Sequence, residues 1–233
     1  EFERVIDGLL AFDHAHVAVL SNGMTLDRHA AALARWPADR FHLQLSLDGL
    51  EPRHDAIRGA GRFQELRARL DVLRRLGLPF TLSMCVTQDN LEDMPGVVDL
   101  AAEVGAGNVH FMWYFVLGRG EQARWAAPAA IIPHFRRAVA RAADLGIAVD
   151  NVDALRSQVF APVGTRHDGT NAGWESVAIG PDETLYPTTA LVGLPAMGTA
   201  LDGGLAAAWR HSDVLQRVRA TTAATLDDPF RFL

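Results

Sequence analysis

The sequence predicts an α/β fold: a parallel sheet covered by helices, either an open doubly wound sheet or part of a barrel. Three observations predict it. Apolar residues at strand-like spacing alternate with apolar residues at helical spacing along the first two thirds of the chain. The connections between these segments are short. Polar residues gather late in the strand-like runs, at Ser21–Asn22, Ser46–Asp48 and Thr87–Asn90, the strand ends where parallel α/β folds build their sites.

Each element follows from its own pattern. Phe2, Val5, Ile6, Leu9 and Leu10 recur at helical spacing, so the chain starts in a helix. Residues 16–23 (HVAVLSNG) read as a short buried strand ending in a turn, and 25–36 as a helix capped by Thr25 and stopped by Pro37. In 41–49, Phe41, Leu43, Leu45 and Leu47 alternate with His42, Gln44, Ser46 and Asp48, a strand with one apolar face. Residues 61–77 form the clearest helix, with Phe63, Leu66, Leu70, Leu73 and Leu76 on one side and Gly77 at its end. A strand at 79–87, a helix at 91–105 bent at Pro95, a strand at 108–118, a helix at 130–146 and a short strand at 147–151 continue the alternation.

Composition then changes. Residues 164–176 are rich in glycine and polar side chains, 176–187 read as a two-stranded hairpin, 193–204 as a loop and 205–220 as a last helix. The expected division is 1–156 for the α/β part and 157–233 for a C-terminal extension.

The 233 residues are 49% hydrophobic and 21% charged, which is enough for a sizeable core and argues against disorder. The formal net charge of −6 argues against a general nucleic-acid binder. All 22 basic residues are arginine, which excludes a Schiff-base lysine and the lysine of a P-loop. One cysteine, Cys85, cannot make an internal disulfide or, by itself, a cysteine-held iron–sulfur cluster. The nine histidines show no metal-binding spacing, so no metal site is expected. No apolar run approaches the ~18 residues of a membrane span, and EFERVIDGLL has no basic signal-peptide region. A cytoplasmic setting without membrane or nucleic-acid partners is the expectation.

SLDGLEPRHDAIRG (46–59) is the most informative stretch. Ser46 and Asp48 alternate to one side of a strand end, and His54 and Arg58 lie four apart, on one face of a helical turn. An arginine there can grip a carboxylate, and an aspartate can accept two hydroxyls. The same residues also suit a capping and ion-pair cluster. LSNG (20–23) reads as a turn in which Asn22 and Gly23 tolerate positive φ, and Asp89 or Asn90 as a helix cap. Cys85 reads as a small buried hydrophobe, and Arg119, between glycines, as a ligand approach or a surface turn.

The run SLDGLEPRHDAIRGAGRFQELRARLDVLRRLGLPFTLSMCVTQDN resembles the middle of radical S-adenosylmethionine enzymes, more narrowly the peptide-modifying kind with a cysteine-rich SPASM-type extension. The order S-L-D-G, H-D-x-x-R-G, a Phe-led helix, a strand and V-T-x-x-N carries the likeness. LSNG matches a T-N-G turn one strand earlier, and NAGWESVAIGPDETLYP is similar to a hairpin of the extension. The resemblance implies a partial (β/α)6 barrel with its first strands missing and a small SPASM-like extension. It implies that Asn22, Ser46, Asp48 and Arg58 bind S-adenosylmethionine, with Arg58 near its methionyl carboxylate. Met84 and Val86 would lie beside the adenine or the substrate, and His54, Asn90 and Arg119 on the side of a peptide or protein substrate. In intact relatives a reduced 4Fe–4S cluster cleaves S-adenosylmethionine, and the adenosyl radical abstracts a substrate hydrogen.

The sequence departs from that pattern at definite places. The C-x-x-x-C-x-x-C loop and the Gly-Gly-Glu-Pro strand are absent, so the chain is expected to begin part-way into the family's length. The extension's cysteines stand as Thr170 and Thr188 or Thr189, and its hairpin glycine as Glu183. A hydroxyl does not replace a thiolate on iron, so no cluster is expected on this chain alone. A barrel short of its first strands should expose a strand edge and an apolar inner face, inviting association. The expected function is a fragment or degenerate form of a radical S-adenosylmethionine peptide-modifying enzyme. The alternative is a non-catalytic peptide- or partner-binding module. A third reading is an acid–base enzyme using Asp48, His54 and Asp89.

Overall fold

A computed structural model describes residues 1–116, 118–153 and 172–224. The chain forms two compact units, Glu1–Val152 and Asp153–Leu233. The expected 156/157 boundary, like Thr170, lies outside the described residues.

The first unit holds a five-stranded sheet: β1 (Val17–Ser21), β2 (Phe41–Ser46), β3 (Phe80–Val86), β4 (Asn108–Trp113) and β5 (Ala148–Val149). Every pairing is parallel and the order is β1-β2-β3-β4-β5, each strand beside its successor. A doubly wound sheet would reverse its order at a switch point; this one advances without reversal. The helices are α1 (Phe2–Leu10), α2 (Ala30–Leu33), α3 (Glu51–Arg58), α4 (Arg62–Leu76), α5 (Met94–Val104) and α6 (Pro128–Leu145).

Strand alternation separates the sheet into two unlike faces. Phe41, Leu43 and Leu45 of β2, Phe80, Leu82, Met84 and Val86 of β3, and Val109 and Phe111 of β4 belong to one continuous core. Leu66, Leu70 and Leu73 of α4, Met94, Val97 and Val98 of α5, and Ala138 and Ala142 of α6 complete it. Each such leucine contributes about 2 kcal/mol by leaving water. The intervening residues face the other way and are polar: His42, Gln44 and Ser46 on β2, Thr81 and Ser83 on β3, Asn108 and His110 on β4. They pair across strands, His42 with Thr81 at 2.7 Å, Gln44 with Ser83 at 2.9 Å and Asn108 with Thr81 at 3.1 Å. The expected apolar inner face is therefore corrected: the face away from the helices is mainly polar, half-exposed except at the buried Thr81 and Ser83, with Leu20 and Met112 as exposed apolar exceptions.

Several elements differ from expectation. The helix expected at 25–36 is a 3-10 turn, Leu26–His29, followed by the short α2, and Thr25 makes no side-chain cap. Pro95 does not bend α5; it sits in the first turn, where its missing N–H costs nothing. The last helix divides at Ser212 into α7 (Leu205–His211) and α8 (Asp213–Ala224), because the Ser212 hydroxyl accepts from the Leu215 N–H at 3.3 Å. These helices belong to the second unit, with the expected hairpin: β6 (Ala178–Ile179) pairs antiparallel with β7 (Leu185–Tyr186). Glu183, where the resembling pattern has glycine, holds the left-handed φ of 61° that the turn requires.

Candidate functional site

The segment leaving β2 is fixed before it offers anything to a ligand. Gly49 has φ 126°, and a Cβ placed there would lie 2.7 Å from Asp93 Oδ2, so only glycine fits. That carboxylate accepts from the Leu50 N–H at 2.8 Å and also pairs with Arg53. Asn90, fully buried, ties the ends of β2 and β3 together. Its Nδ2 donates to the carbonyls of Asp48 (3.1 Å) and Cys85 (2.8 Å), and its Oδ1 accepts from the Thr87 N–H at 2.8 Å. All three of those side-chain bonds go to main chain, so the Asn90 amide is committed to shaping the loops.

From this frame α3 carries His54 and Arg58 to one place. Asp48 is buried, and its Oδ2 accepts from Arg58 Nε at 2.5 Å. The Asp48 N–H donates to His54 Nδ1 at 3.2 Å. A histidine accepting at Nδ1 is neutral with its proton on Nε2, and burial pushes the His54 pKa down, only partly opposed by the Asp48 carboxylate.

Asn22, Met24, Ser46, His54, Arg58 and Arg62 line one cavity of about 380 Å³. This is within the ordinary range for a small-molecule site. Four of the expected site residues, Asn22, Ser46, His54 and Arg58, thus meet there, and Asp48 holds Arg58 from behind. Asn22 gets its place from its turn, with Oδ1 accepting from the Met24 N–H at 3.1 Å. Among the described residues, the Asn22 Nδ2, the Ser46 hydroxyl and the outer nitrogens of Arg58 have no protein partner, so the cavity presents ready hydrogen-bonding groups. Met24 and Arg62 were missed by sequence reasoning. Their signal was weak: Arg62 opens the Phe-led helix and Met24 follows the turn glycine.

Other expected residues lie elsewhere. The side chains of Met84 and Val86 are buried in the core beneath the helices. Alternation gives the polar face to Cys85 between them, so only their main chain can approach a ligand on that face. Burial pushes the Cys85 thiol pKa up, and the Asp48 carboxylate adds to the shift. Arg119 is exposed in a turn and is not part of the cavity lining. Asp89 pairs with Arg124 at 3.2 Å beside a second cavity of about 330 Å³, also lined by Arg53, Ala56, Ile57 and Asn90. Asp48 with Arg58 and Asp89 with Arg124 are ion pairs, so the third reading's carboxylates are not joined to His54 as a proton-transfer set.

The polar face holds a further pair. His110 of β4 bonds through Nδ1 to Asp150 Oδ1 at 2.8 Å. No local spacing could reveal two residues 40 apart in sequence; only the β4–β5 register brings them together.

Among the described residues no three His, Cys, Asp or Glu side chains are grouped to hold a metal ion. No helix there is long and apolar enough to cross a membrane.

No family profile matches the chain. It is 35% identical over 115 residues to an AdoMet-dependent heme synthase of Methanosarcina barkeri, covering 48% of this chain and 33% of that protein. It is 29% identical over 93 residues to the sporulation killing factor maturation protein SkfB of Bacillus subtilis, covering 39% of this chain and 22% of that one. The chain therefore spans at most about a third of these curated relatives. Among solved structures, anSMEcpe with bound AdoMet superposes with a TM-score of 0.74 at 13% identity, over 99% of this chain and 68% of that chain. Streptococcus suis SuiB bound to its precursor peptide SuiA gives 0.69 at 13%, over 87% of this chain and 49% of that chain. The structural likenesses show a shared fold. With the two sequence relatives they uphold the resemblance to radical S-adenosylmethionine maturases read from residues 46–90.

Proposed function

We propose that this chain is part of a radical S-adenosylmethionine enzyme that modifies a peptide, and that its cavity is where S-adenosylmethionine is held. The observation that carries the reading is the convergence of Asn22, Ser46, His54 and Arg58 on one cavity from three separate segments. The unpartnered groups suit the ligand. The outer nitrogens of Arg58, backed by Asp48, would take the methionyl carboxylate as a fork. The Ser46 hydroxyl and Asn22 amide would meet polar atoms of the ribose or the amino group. His54 would offer its Nε2 proton without adding positive charge beside a sulfonium.

The ordered parallel sheet with one helix-covered face supports a partial (β/α)6 barrel, and the β6–β7 hairpin supports a SPASM-like extension. The precursor peptide bound by SuiB supports a peptide as substrate. When bound in such enzymes, S-adenosylmethionine supplies the adenosyl radical that abstracts hydrogen. The residues present do not fit the iron–sulfur cluster: the chain's one thiol, Cys85, sits mid-strand. In this reading the cluster ligands come from outside these residues.

Calorimetric titration of the purified chain with S-adenosylmethionine tests the proposal. Saturable binding is expected, weakened about fivefold by Ser46→Ala, the worth of one hydrogen bond, and more by Arg58→Gln. A folded chain that gives no saturable heat, or one indifferent to both substitutions, overturns it.

A further inference from the structure

The polar face of the sheet does more than lead to the cavity. Parallel sheets are ordinarily covered on both faces; here one face carries a hydrogen-bonded ladder whose members can be accounted for one at a time. Asn108 Nδ2 donates to Thr81 Oγ1 at 3.1 Å, and Asn108 Oδ1 accepts from the Asp150 N–H at 3.2 Å. The Thr81 hydroxyl proton is left for His42 Nε2, 2.7 Å away. That arrangement matches a neutral His42, whose pKa burial pushes down. This part of the ladder is internally satisfied, and it fixes the main chain of Asp150.

The next rung ends differently. The Asp150 carboxylate can only accept, so His110 Nδ1, 2.8 Å from Oδ1, carries the proton and donates it. In the neutral ring the lone pair is then on Nε2, and among the described residues nothing bonds to that nitrogen. The support behind this pair is rigid. β5 ends at Val149, and Asn151 takes over the strand's work with two 2.8 Å bonds to Phe111, its Oδ1 accepting from the N–H and its Nδ2 donating to the carbonyl. His110 is thus held through its ring by Asp150, and through its neighbour's main chain by Asn151. The ring is half-buried, and the strand partner of His110 is Ser83, whose hydroxyl already accepts from Gln44.

We propose that His110, oriented by Asp150, is a proton acceptor for a weakly acidic N–H, O–H or S–H group of a peptide lying on the open face. The identity of that substrate rests on the peptide-modifying reading above; the base itself does not. The step is a plain proton transfer. The X–H bond breaks, its electron pair stays on X, an Nε2–H bond forms, and the Asp150 carboxylate stabilises the resulting imidazolium. No oxidant or reductant is consumed. Asp150 acts as a positioning residue.

Acylation of the full chain with diethyl pyrocarbonate, mapped by peptide mass spectrometry, tests this without any turnover. His110 is expected to react at a rate comparable to the exposed His14 and His16 despite its partial burial, while His42, occupied at Nε2 by Thr81, stays protected. Asp150→Asn should slow His110 several-fold and leave His14 unchanged, because the carboxylate both orients the ring and raises the electron density at Nε2. An unreactive His110, or one whose rate relative to His14 is unaltered by Asp150→Asn, overturns the proposal. Should that variant not fold, nitrogen NMR of the unsubstituted chain decides: the Nδ1–H tautomer of His110 supports the proposal and the Nε2–H tautomer defeats it. Failure of S-adenosylmethionine to bind would leave these results standing, so the two proposals fail separately.

Discussion

The two faces of the sheet are made from alternate residues of the same strands, yet they obey different rules. On the helix-covered face, Leu45, Leu82 and Phe111 are sealed among α4, α5 and α6. Their work is burial, and any apolar residue of the right volume would do it nearly as well. On the open face, Gln44 bonds to Ser83, Asn108 to Thr81 and His110 to Asp150; Thr81 and Ser83 are buried beneath this layer, while Gln44, Asn108 and His110 keep part of their surface in water. Their identities matter for hydrogen bonding, and the loss of a half-exposed member should cost little stability. On the proposed function, such a sheet separates its stability from its chemistry by a one-residue step along the strand.

The sharpest way to break this comparison is to cut one residue from each face of β3. Leu82→Ala should destabilise the chain by about 3–5 kcal/mol, the cost of a core cavity. Ser83→Ala, its neighbour on the open face, should cost no more than about 1 kcal/mol, the worth of one hydrogen bond whose donor, Gln44, is half-exposed and can turn to water. Denaturant unfolding of the two variants gives both values, and equal losses would mean that the faces are not distinct.

Asn90 sits where the faces meet, and the next effect in size belongs to it. Asn90→Ala removes its bonds to the buried Asp48 carbonyl, the part-buried Cys85 carbonyl and the buried Thr87 N–H, so a loss of about 2–3 kcal/mol is expected. Denaturant unfolding checks that loss, and calorimetric titration of the same variant should show weaker S-adenosylmethionine binding, because Asp48 and Cys85 lose their common tie. A neutral substitution would show that Asn90 is not the joint between β2 and β3.

The smallest effect is one of pH. Burial lowers the His54 pKa below its ordinary 6.5, so the unfolded chain binds the extra proton first as pH falls. The stabilisation is complete above the unfolded value and is lost as pH falls toward the lower folded value. Below 6.5, unfolding free energy should therefore fall with decreasing pH in the unsubstituted chain and fall less in His54→Gln. His42, lowered by the same cause, adds a parallel contribution that persists in that variant. An unchanged pH dependence in His54→Gln would show that His54 is not held neutral.

How much of this was legible depended on how local each signal was. The alternation of 41–49 was enough for β2, and the apolar side of 61–77 for α4, because each pattern fits one period only. SLDG marked a glycine that the Asp93 contact makes necessary. The reading failed where partners are distant or where a pattern fits two outcomes. Residues 25–36 look helical throughout, but burial of Leu26, Leu33 and Trp36 is met by a 3-10 turn and one short helix. Assigning Met84 and Val86 to a ligand overlooked their parity with Leu82, which sends them to the core. His110 and Asp150 gave no local sign, since their pairing exists only in the register of β4 with β5.

The central proposal is that the cavity beside α3, at the end of the open side of the sheet, holds S-adenosylmethionine, while the helix-covered side is structural. Amide and side-chain NMR of the isotopically labelled chain during titration with S-adenosylmethionine tests it most directly. The account predicts saturable shifts at Asn22, Gly23, Ser46 and the Arg58 side chain, with Leu70, Leu73 and Val97 unmoved. Shifts that never saturate, or that are largest among the α4 and α5 residues, would contradict it.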